Sequence, residues 1–437
     1  MRFWRIFGLI PFLLITALLA AGCAGGRAPS APGNAPEPAA EQEQPTATAA
    51  TETDSASTEA APAGEPIKIG LVSPFSGPLG ILGQWMDISA KAEVARINAE
   101  GGLLGRPLEL ITRDDELNPQ KSVEAVRELL DKEQVDMLIG PSLTAFAVAT
   151  KDLVTQSQTI QMLPTVAGLA ALEDAPYSFR TLESAKLQME EAARLAQTLG
   201  LQKIAMVVLD DAAGQEYAAY LPEAVRANGM EYVGQEFFRA DDQDLTTQVL
   251  KVQELGADGV AIGTGNSAQC AKVIAAVDNL GWGVQILGNS GLENTQLGTL
   301  VGEGIVGAKF VNTFRGYQGG LPVAQMPAGY VRHLQAVLQT ENIPPPESRD
   351  LSGFGINTPV ADAIFIWAEA VARANSLDSD MVKAELEQTN VPADRSPSGG
   401  NLVITPDNHE AYREGSLFFY EWRKLPNDTL GYVLMEE

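Results

Sequence analysis

Thiols and imidazoles are nearly missing from this 437-residue chain, which has two cysteines, Cys23 and Cys270, and two histidines, His333 and His409. Such counts leave no zinc-ligand spacing, no Cys–His nucleophile pair and no disulfide framework. Positive charge is also scarce: 30 Lys and Arg stand against 56 Asp and Glu, a net charge of −26. A surface of that sign repels nucleic acid and favours solubility. It gives no long-range attraction to an anion, so a bound carboxylate needs local donors. There is no Gly-x-Ser-x-Gly elbow and no phosphate loop ending in Lys-Ser/Thr. Asp114-Asp115 has the composition of an acid/base pair, but neighbours at a strand end point apart. His333 falls in an expected surface helix, Tyr330–Gln339, and His409 in the turn Asp407–Glu410. Both are expected to be solvated, not to act as bases. The expected function is therefore not an enzyme's, and no cofactor or metal is expected.

One long apolar run exists, Phe7–Ala21, interrupted only by Gly8, Pro11 and Thr16. Arg2 and Arg5 precede it and Leu18-Leu19-Ala20-Ala21-Gly22-Cys23 closes it. The run falls short of the about 20 apolar residues that a membrane span needs. With small residues before Cys23, it resembles the signal and lipobox of exported lipoproteins. That resemblance implies removal of residues 1–22 and a lipid on Cys23. The protein is then held at the outer face of the cytoplasmic membrane, at a cell surface or in a periplasm. Cys270 is left without a partner. It lies in the expected helix Ser267–Leu280, as a small buried apolar residue.

Residues 23–65 read as a tether. Ala24–Glu65 has no aromatic or large aliphatic residue. Such a segment cannot bury enough apolar surface to offset ordering entropy, so disorder is expected. Its acidic residues and prolines favour extension.

The remaining chain, about 370 residues, is too long for one core and suits two domains. From Ile67 short apolar strands alternate with helices. Ile67–Val72, Leu108–Thr112, Asp136–Gly140 and Ile160–Leu163 read as strands. The helix after the second strand opens with Asn118 as cap and Pro119 in its first turn. The rhythm restarts with strands at Lys203–Leu209, Glu231–Phe238, Gly259–Ile262 and Val284–Leu287, and with helices stopped by Gly229 and Gly256. A Pro-rich loop (Ile343–Glu347), helices Pro359–Ala374 and Ser379–Gln388, and late strands Leu402–Thr405 and Leu417–Trp422 follow. Strands joined by helical crossovers form parallel sheets covered on both faces. Two such runs predict an α/β protein of two doubly wound parallel-sheet lobes.

Ligands of open α/β sheets gather beyond the carboxyl ends of the strands. In the first half these ends carry Ser73–Gln84, a Gly-rich turn into a helix start, then Gly140-Pro-Ser-Leu-Thr144 and Pro164-Thr-Val-Ala-Gly168. In the second half they carry Asp210–Gln215, Gly263-Thr-Gly-Asn266 and Gly288-Asn-Ser-Gly291. Helix starts have free N–H groups suited to an anion. The same hydroxyls also serve as ordinary caps. Glycine- and hydroxyl-rich ends facing each other make a closing cleft.

Ile67-Lys-Ile-Gly-Leu71, Ser76-Gly-Pro78, Ile97–Leu110, Asp114-Asp115 with Asn118-Pro119, Gly140-Pro141 and Phe179-Arg180-Thr181 occur in the order found in one family. The chain resembles, from about Ile67 to Leu434, the solute-binding lipoproteins of the branched-chain amino-acid (leucine/isoleucine/valine-binding) ABC importers. The resemblance implies a type I periplasmic-binding-protein fold with a three-strand hinge. Lobe one would be 66–183 plus 314–411, and lobe two 184–313 plus 412–437. It implies Thr144 as the hydroxyl for the ligand's acidic or carbonyl end, and Thr165 and Ser76 are expected to assist from neighbouring strand ends. Where relatives have a small-small-Thr turn after the fourth strand, this chain has Thr165-Val166-Ala167, without that threonine hydroxyl. Leu82 and Trp85 would be apolar walls, although Trp85 also shares a core register with Ile88 and Ala92. Ala213 stands where relatives have a tyrosine, and Ser290 where they have the carboxylate that pairs an α-ammonium. Glu293, three residues on, or Asp211 would have to take over that pairing. With Thr264, Gly265, Asn266 and Ser290 neutral, the far end of the ligand is expected to be neutral or apolar. The implied function is capture of a branched-chain amino acid, or a related amide or carboxylate, for delivery to the permease subunits of an ABC transporter. The expected state is a monomer with a small-molecule ligand and a lipid-held membrane contact. A ligand-sensing receptor of the same fold without a transport role is the alternative.

Overall fold

In the computed structural model the described residues are 64–294, 296–312, 326–341, 358–426 and 428–435. The signal, Cys23, the tether up to residue 63 and the loop Ile343–Glu347 lie outside them.

The first sheet is built from β1 (Ile67–Ser73), β2 (Leu108–Asp114), β3 (Met137–Ile139), β4 (Ile160–Leu163) and β5 (Ser178–Arg180). Its order is β2-β1-β3-β4-β5, and every pairing is parallel. The helices between these strands are α1 (Gly80–Ala99), α2 (Pro119–Glu128) and α3 (Thr144–Ser157). Asn118 caps α2 as its sequence predicts, its side chain accepting from the N–H groups of Gln120 and Lys121. Ile67, Ile69, Leu71, Met137 and Ile139 are fully buried, as strands covered on both faces must be.

The chain then crosses through α4 (Ala185–Thr198) into a second sheet. This holds β6 (Lys203–Leu209), α5 (Ala212–Ala227), β7 (Glu231–Phe238), α6 (Thr246–Glu254), β8 (Gly259–Gly263), α7 (Ser267–Asn279), β9 (Gln285–Gly288), α8 (Gln296–Val301) and β10 (Lys309–Asn312). Cys270 of α7 is fully buried among apolar residues, and that burial pushes its thiol up to about 12. After α9 (Ala328–Thr340), α10 (Thr358–Ala374), α11 (Ser379–Leu386) and the small ribbon β11 (Asn390–Val391) with β12 (Leu402–Val403), the chain returns. Strands β13 (Phe418–Lys424) and β14 (Leu430–Leu434) extend the second sheet with antiparallel pairings, giving the order β14-β13-β10-β9-β8-β6-β7. The architecture is thus two parallel-sheet α/β lobes, the second with an antiparallel edge.

Two of the crossings lie side by side. The Arg180 N–H donates to the His409 carbonyl at 2.9 Å, and the Ala411 N–H donates to the Arg180 carbonyl at 2.8 Å. The Thr181 hydroxyl ties the first crossing to the start of α10, donating to the Pro359 carbonyl at 2.7 Å.

Both histidines depart from the expectation of solvated residues. The helix carrying His333 is not on the surface: Tyr330, Leu334, Val337 and Leu338 are buried. His333 itself is 2% exposed, its Nδ1 2.9 Å from Glu93 and its Nε2 3.2 Å from the Ser89 hydroxyl, both on α1. Ser89, His333 and Glu93 line up as hydroxyl, imidazole and carboxylate, but burial leaves Ser89 no contact with solvent. His409 stacks on Phe179 at 4.2 Å, donates from Nδ1 to the Ser178 carbonyl, and sets Nε2 3.1 Å from Glu387. Each imidazole fastens chain segments distant in sequence.

Candidate functional site

The carboxyl ends of β1, β3 and β4 lie side by side because those strands are neighbours in the sheet. Gly140 permits the turn after β3: its φ is +90°, and a side chain there would collide with the Val72 carbonyl. Beyond it, the Ser142 hydroxyl donates to the Ser73 hydroxyl at 2.8 Å, joining two strand ends. The Thr165 hydroxyl donates to the Ser142 carbonyl at 3.0 Å, joining the turn after β4 to the turn after β3. Thr144 opens α3 and is buried, and its hydroxyl accepts from the Gly168 N–H at 3.3 Å. Thr144, Thr165 and the 166–168 turn therefore form one connected group.

Arg180 holds that turn from behind. It is fully buried, and its Nη1 donates to the carbonyls of Ala167 and Gly168, both at 2.8 Å, and of Val166 at 3.3 Å. Its Nη2 pairs with Glu410 at 2.8 Å. The one cation among these groups is thus neutralised at the back of the turn.

The other expected residues of this lobe divide. Val166 is buried with Ala147, Leu163 and Ala171. Ala167 is buried among Leu182, Ala185 and Met189, on the side of the second lobe. Ser76 is exposed and bonded to Asp114, whose carboxyl also accepts from the Phe75 and Glu116 N–H groups. Burial opposes ionisation of Asp114, yet these bonds hold its carboxyl below the usual carboxylate range. Leu82 is half-buried against the lobe-one core, and Trp85 is half-buried outside the buried clusters.

On the second lobe, Gly214 allows α5 to start tightly after β6, since a side chain there would collide with the Leu209 carbonyl. Asp211 caps this helix, accepting from the Gly214 N–H at 2.7 Å. Ala213 is half-buried, and Tyr217 is buried with its hydroxyl 3.1 Å from Gln188 Oε1. Thr264 accepts from the Asn266 N–H at 3.1 Å, and Asn266 caps α7. Gly265 is exposed and Ser290 half-buried. Glu293 is buried and accepts from Asn312 Nδ2 at 2.9 Å.

Sequence reasoning missed Glu216. From the second turn of α5 its carboxylate reaches the first lobe, accepting from the Leu169 N–H at 2.7 Å and the Ala170 N–H at 3.5 Å. Those N–H groups belong to the 3-10 turn Leu169–Ala171 that follows Gly168. A carboxylate on a helix reads as a solvated residue, and nothing in its spacing marks it. Two surface grooves, of about 480 Å³ between α1 and α9 and about 450 Å³ between α6 and α7, include none of the expected ligand-binding residues.

The family described as periplasmic binding protein matches residues 66–426. The Leu/Ile/Val-binding protein homolog 3 of Brucella melitensis is 26% identical over 258 residues, 58% of this chain and 69% of that one. The Leu/Ile/Val-binding protein of Escherichia coli K12 is 24% identical over 56% of this chain and 66% of its own length. Among solved structures, a type 1 periplasmic binding protein from Bordetella pertussis superposes with a TM-score of 0.74 at 21% identity, covering 85% of this chain and 100% of its own. An ABC-transporter solute-binding protein from R. palustris, solved with 4-hydroxybenzoate, gives 0.73 at 18%, covering 85% and 96%. A branched-chain amino-acid binding protein from Streptococcus pneumoniae, solved with isoleucine, gives 0.68 at 17%, covering 85% and 100%.

Proposed function

Because the chain belongs to the periplasmic binding protein family, in its branched-chain amino-acid type, we propose that it is a lipid-anchored receptor that captures a small carboxylate- or amide-bearing molecule between its lobes and hands it to an ABC importer. The family is one of exported solute-binding proteins, so the site acts outside the cytoplasm and binds small molecules. Cys23 carries the lipid in this reading, and 66–183 with 314–411 closes against 184–313 with 412–437.

The observation that carries the proposal is the placement of Thr144. It is buried five residues beyond β3, opens a 14-residue helix, and shares its hydroxyl with the turn after β4. An acid or carbonyl group placed there meets the hydroxyl and the free N–H groups of the helix start. Thr165 supports this hydroxyl by tying the turn after β4 to the Ser142 carbonyl, and Ser76 stands at the neighbouring strand end, bonded to Asp114. Leu82 and Trp85 supply apolar walls. Thr264, Gly265, Asn266, Ser290 and Ala213 receive the far end of the ligand. The relatives above include binders of isoleucine and of 4-hydroxybenzoate, two molecules that share a carboxylate on an apolar body. Both classes fit a site with a hydroxyl at one end and apolar walls beyond it.

The test is a thermal-shift screen of the purified protein with L-leucine, L-isoleucine, 4-hydroxybenzoate and 3,4-dihydroxybenzoate. A ligand present at 100 times its dissociation constant adds about 2.7 kcal/mol of stability. A stabilised melt with one of them supports the reading. Unchanged melting with all four at millimolar concentration removes these ligands from it.

A further inference from the structure

We propose that Glu216 is a positioning residue of the cleft: it fastens lobe two onto the turn beside Thr144, and so sets ligand affinity without contacting the ligand. This rests on the binding reading above.

The Glu216 bonds run between lobes. Its helix follows β6 of the second sheet, and its partners Leu169 and Ala170 follow β4 of the first. Hydrogen bonds to an ionised carboxylate are about twice as strong as neutral ones. Bonds that bridge the two lobes favour the arrangement in which the lobes meet, with or without a ligand.

A second observation comes from Gly168, the residue before those donors. Its φ of −68° suits any residue, so backbone strain does not demand glycine. Space does: a Cβ there would overlap the Thr144 methyl and lie 2.9 Å from Glu216 Oε1. The missing side chain lets the lobe-two carboxylate approach. Glu216 leaves the Thr144 hydroxyl to the Gly168 N–H, so the fastening and the ligand-binding hydroxyl are neighbours, not competitors.

Affinity follows from population. A ligand that binds only closed lobes has its apparent dissociation constant raised by the reciprocal of the closed fraction. Removing Glu216 lowers that fraction. It therefore weakens every ligand alike, whether zwitterion or simple acid, which separates fastening from charge pairing with the ligand.

The test uses Glu216→Ala, Glu216→Gln and Gly168→Ala in the full-length protein. Small-angle scattering without ligand should show a larger radius of gyration for Glu216→Ala and Gly168→Ala than for the parent. Glu216→Gln keeps an acceptor oxygen and should lie between. Calorimetry with L-leucine and 4-hydroxybenzoate should show about tenfold weaker binding by Glu216→Ala for each probe that the parent binds. Equal radii for parent and Glu216→Ala overturn the proposal, as does loss of leucine affinity with 4-hydroxybenzoate affinity kept. If the parent binds neither probe, the ligand classes offered above fail, while scattering still decides the role of Glu216.

Discussion

The Thr144 hydroxyl and the Glu216 carboxylate each lie 2.9 Å from the point where a Gly168 side chain would begin, one from each lobe. A loss at either position therefore acts at the same turn, but by different routes. Thr144→Val keeps the shape and deletes the hydroxyl. Losing one buried hydrogen-bond partner costs about 1–3 kcal/mol, so ligand affinity should fall by roughly five- to hundredfold while the fold persists. Titration calorimetry on the variant checks this. Unchanged affinity would move the ligand's acid group away from Thr144.

The alternation of strands and helices was legible because it rests on local causes. Buried parallel strands must be apolar throughout, and Asn118-Pro119 opens a helix by its own chemistry. The structural use of the histidines was not legible. His333 is 240 residues from Glu93 in the chain, and only packing of α9 on α1 makes them partners. β5 is three residues long and ends in arginine, so it has no strand pattern to read. Its Arg180 was visible only as part of a motif, without its three carbonyl partners. The positions of the hydroxyl-bearing turns follow from strand order, whereas the Glu216 contacts to Leu169 and Ala170 are not encoded in spacing.

Arg180 should prove sensitive to conservative change. Its fork reaches the 166–168 carbonyls and Glu410 together, which a lysine ammonium cannot reproduce. Breaking a fully buried ion pair costs about 3–5 kcal/mol, an upper bound here because the Glu410 end is partly exposed. Arg180→Met should lose up to that much in urea unfolding. Arg180→Lys should lose less, yet bind ligand more weakly because the turn is no longer held. Full affinity in Arg180→Lys would show that the turn keeps its shape unaided.

Anchoring is a separate matter of the first 23 residues. If Cys23 is the lipid acceptor, as proposed, Cys23→Ser should put the protein in the soluble fraction or leave its signal uncleaved. Fractionation of washed membranes with an antibody to the folded part reads this directly. Normal processing with full membrane retention would exclude Cys23 as the anchor.

Glu93 and Asp362 should give opposite pH responses. Burial alone would raise the Glu93 carboxyl, but bonds and charges from His333 and Arg96 bring it below its ordinary value. A depressed carboxylate stabilises the fold above its unfolded pKa, and that stability is lost as pH falls through the folded one. Asp362 is also fully buried, but desolvation prevails there. It accepts from the Tyr412 hydroxyl at 2.6 Å and the Ser398 N–H at 2.9 Å, and still rises to about 6. The unfolded aspartate ionises near pH 3.9. Between these values the native state keeps a proton that the unfolded state has released, so its contribution is present at low pH and is lost as pH rises through about 6. Asp362→Asn cannot titrate. Its stability relative to the parent should therefore grow by about 2–3 kcal/mol from pH 4 to pH 7. Glu93→Gln should instead lose ground against the parent over that rise. Urea unfolding of all three proteins at pH 4, 5, 6 and 7 measures both slopes. A difference curve for Asp362→Asn that is flat across this window would mean that Asp362 enters the fold already ionised at its ordinary pKa.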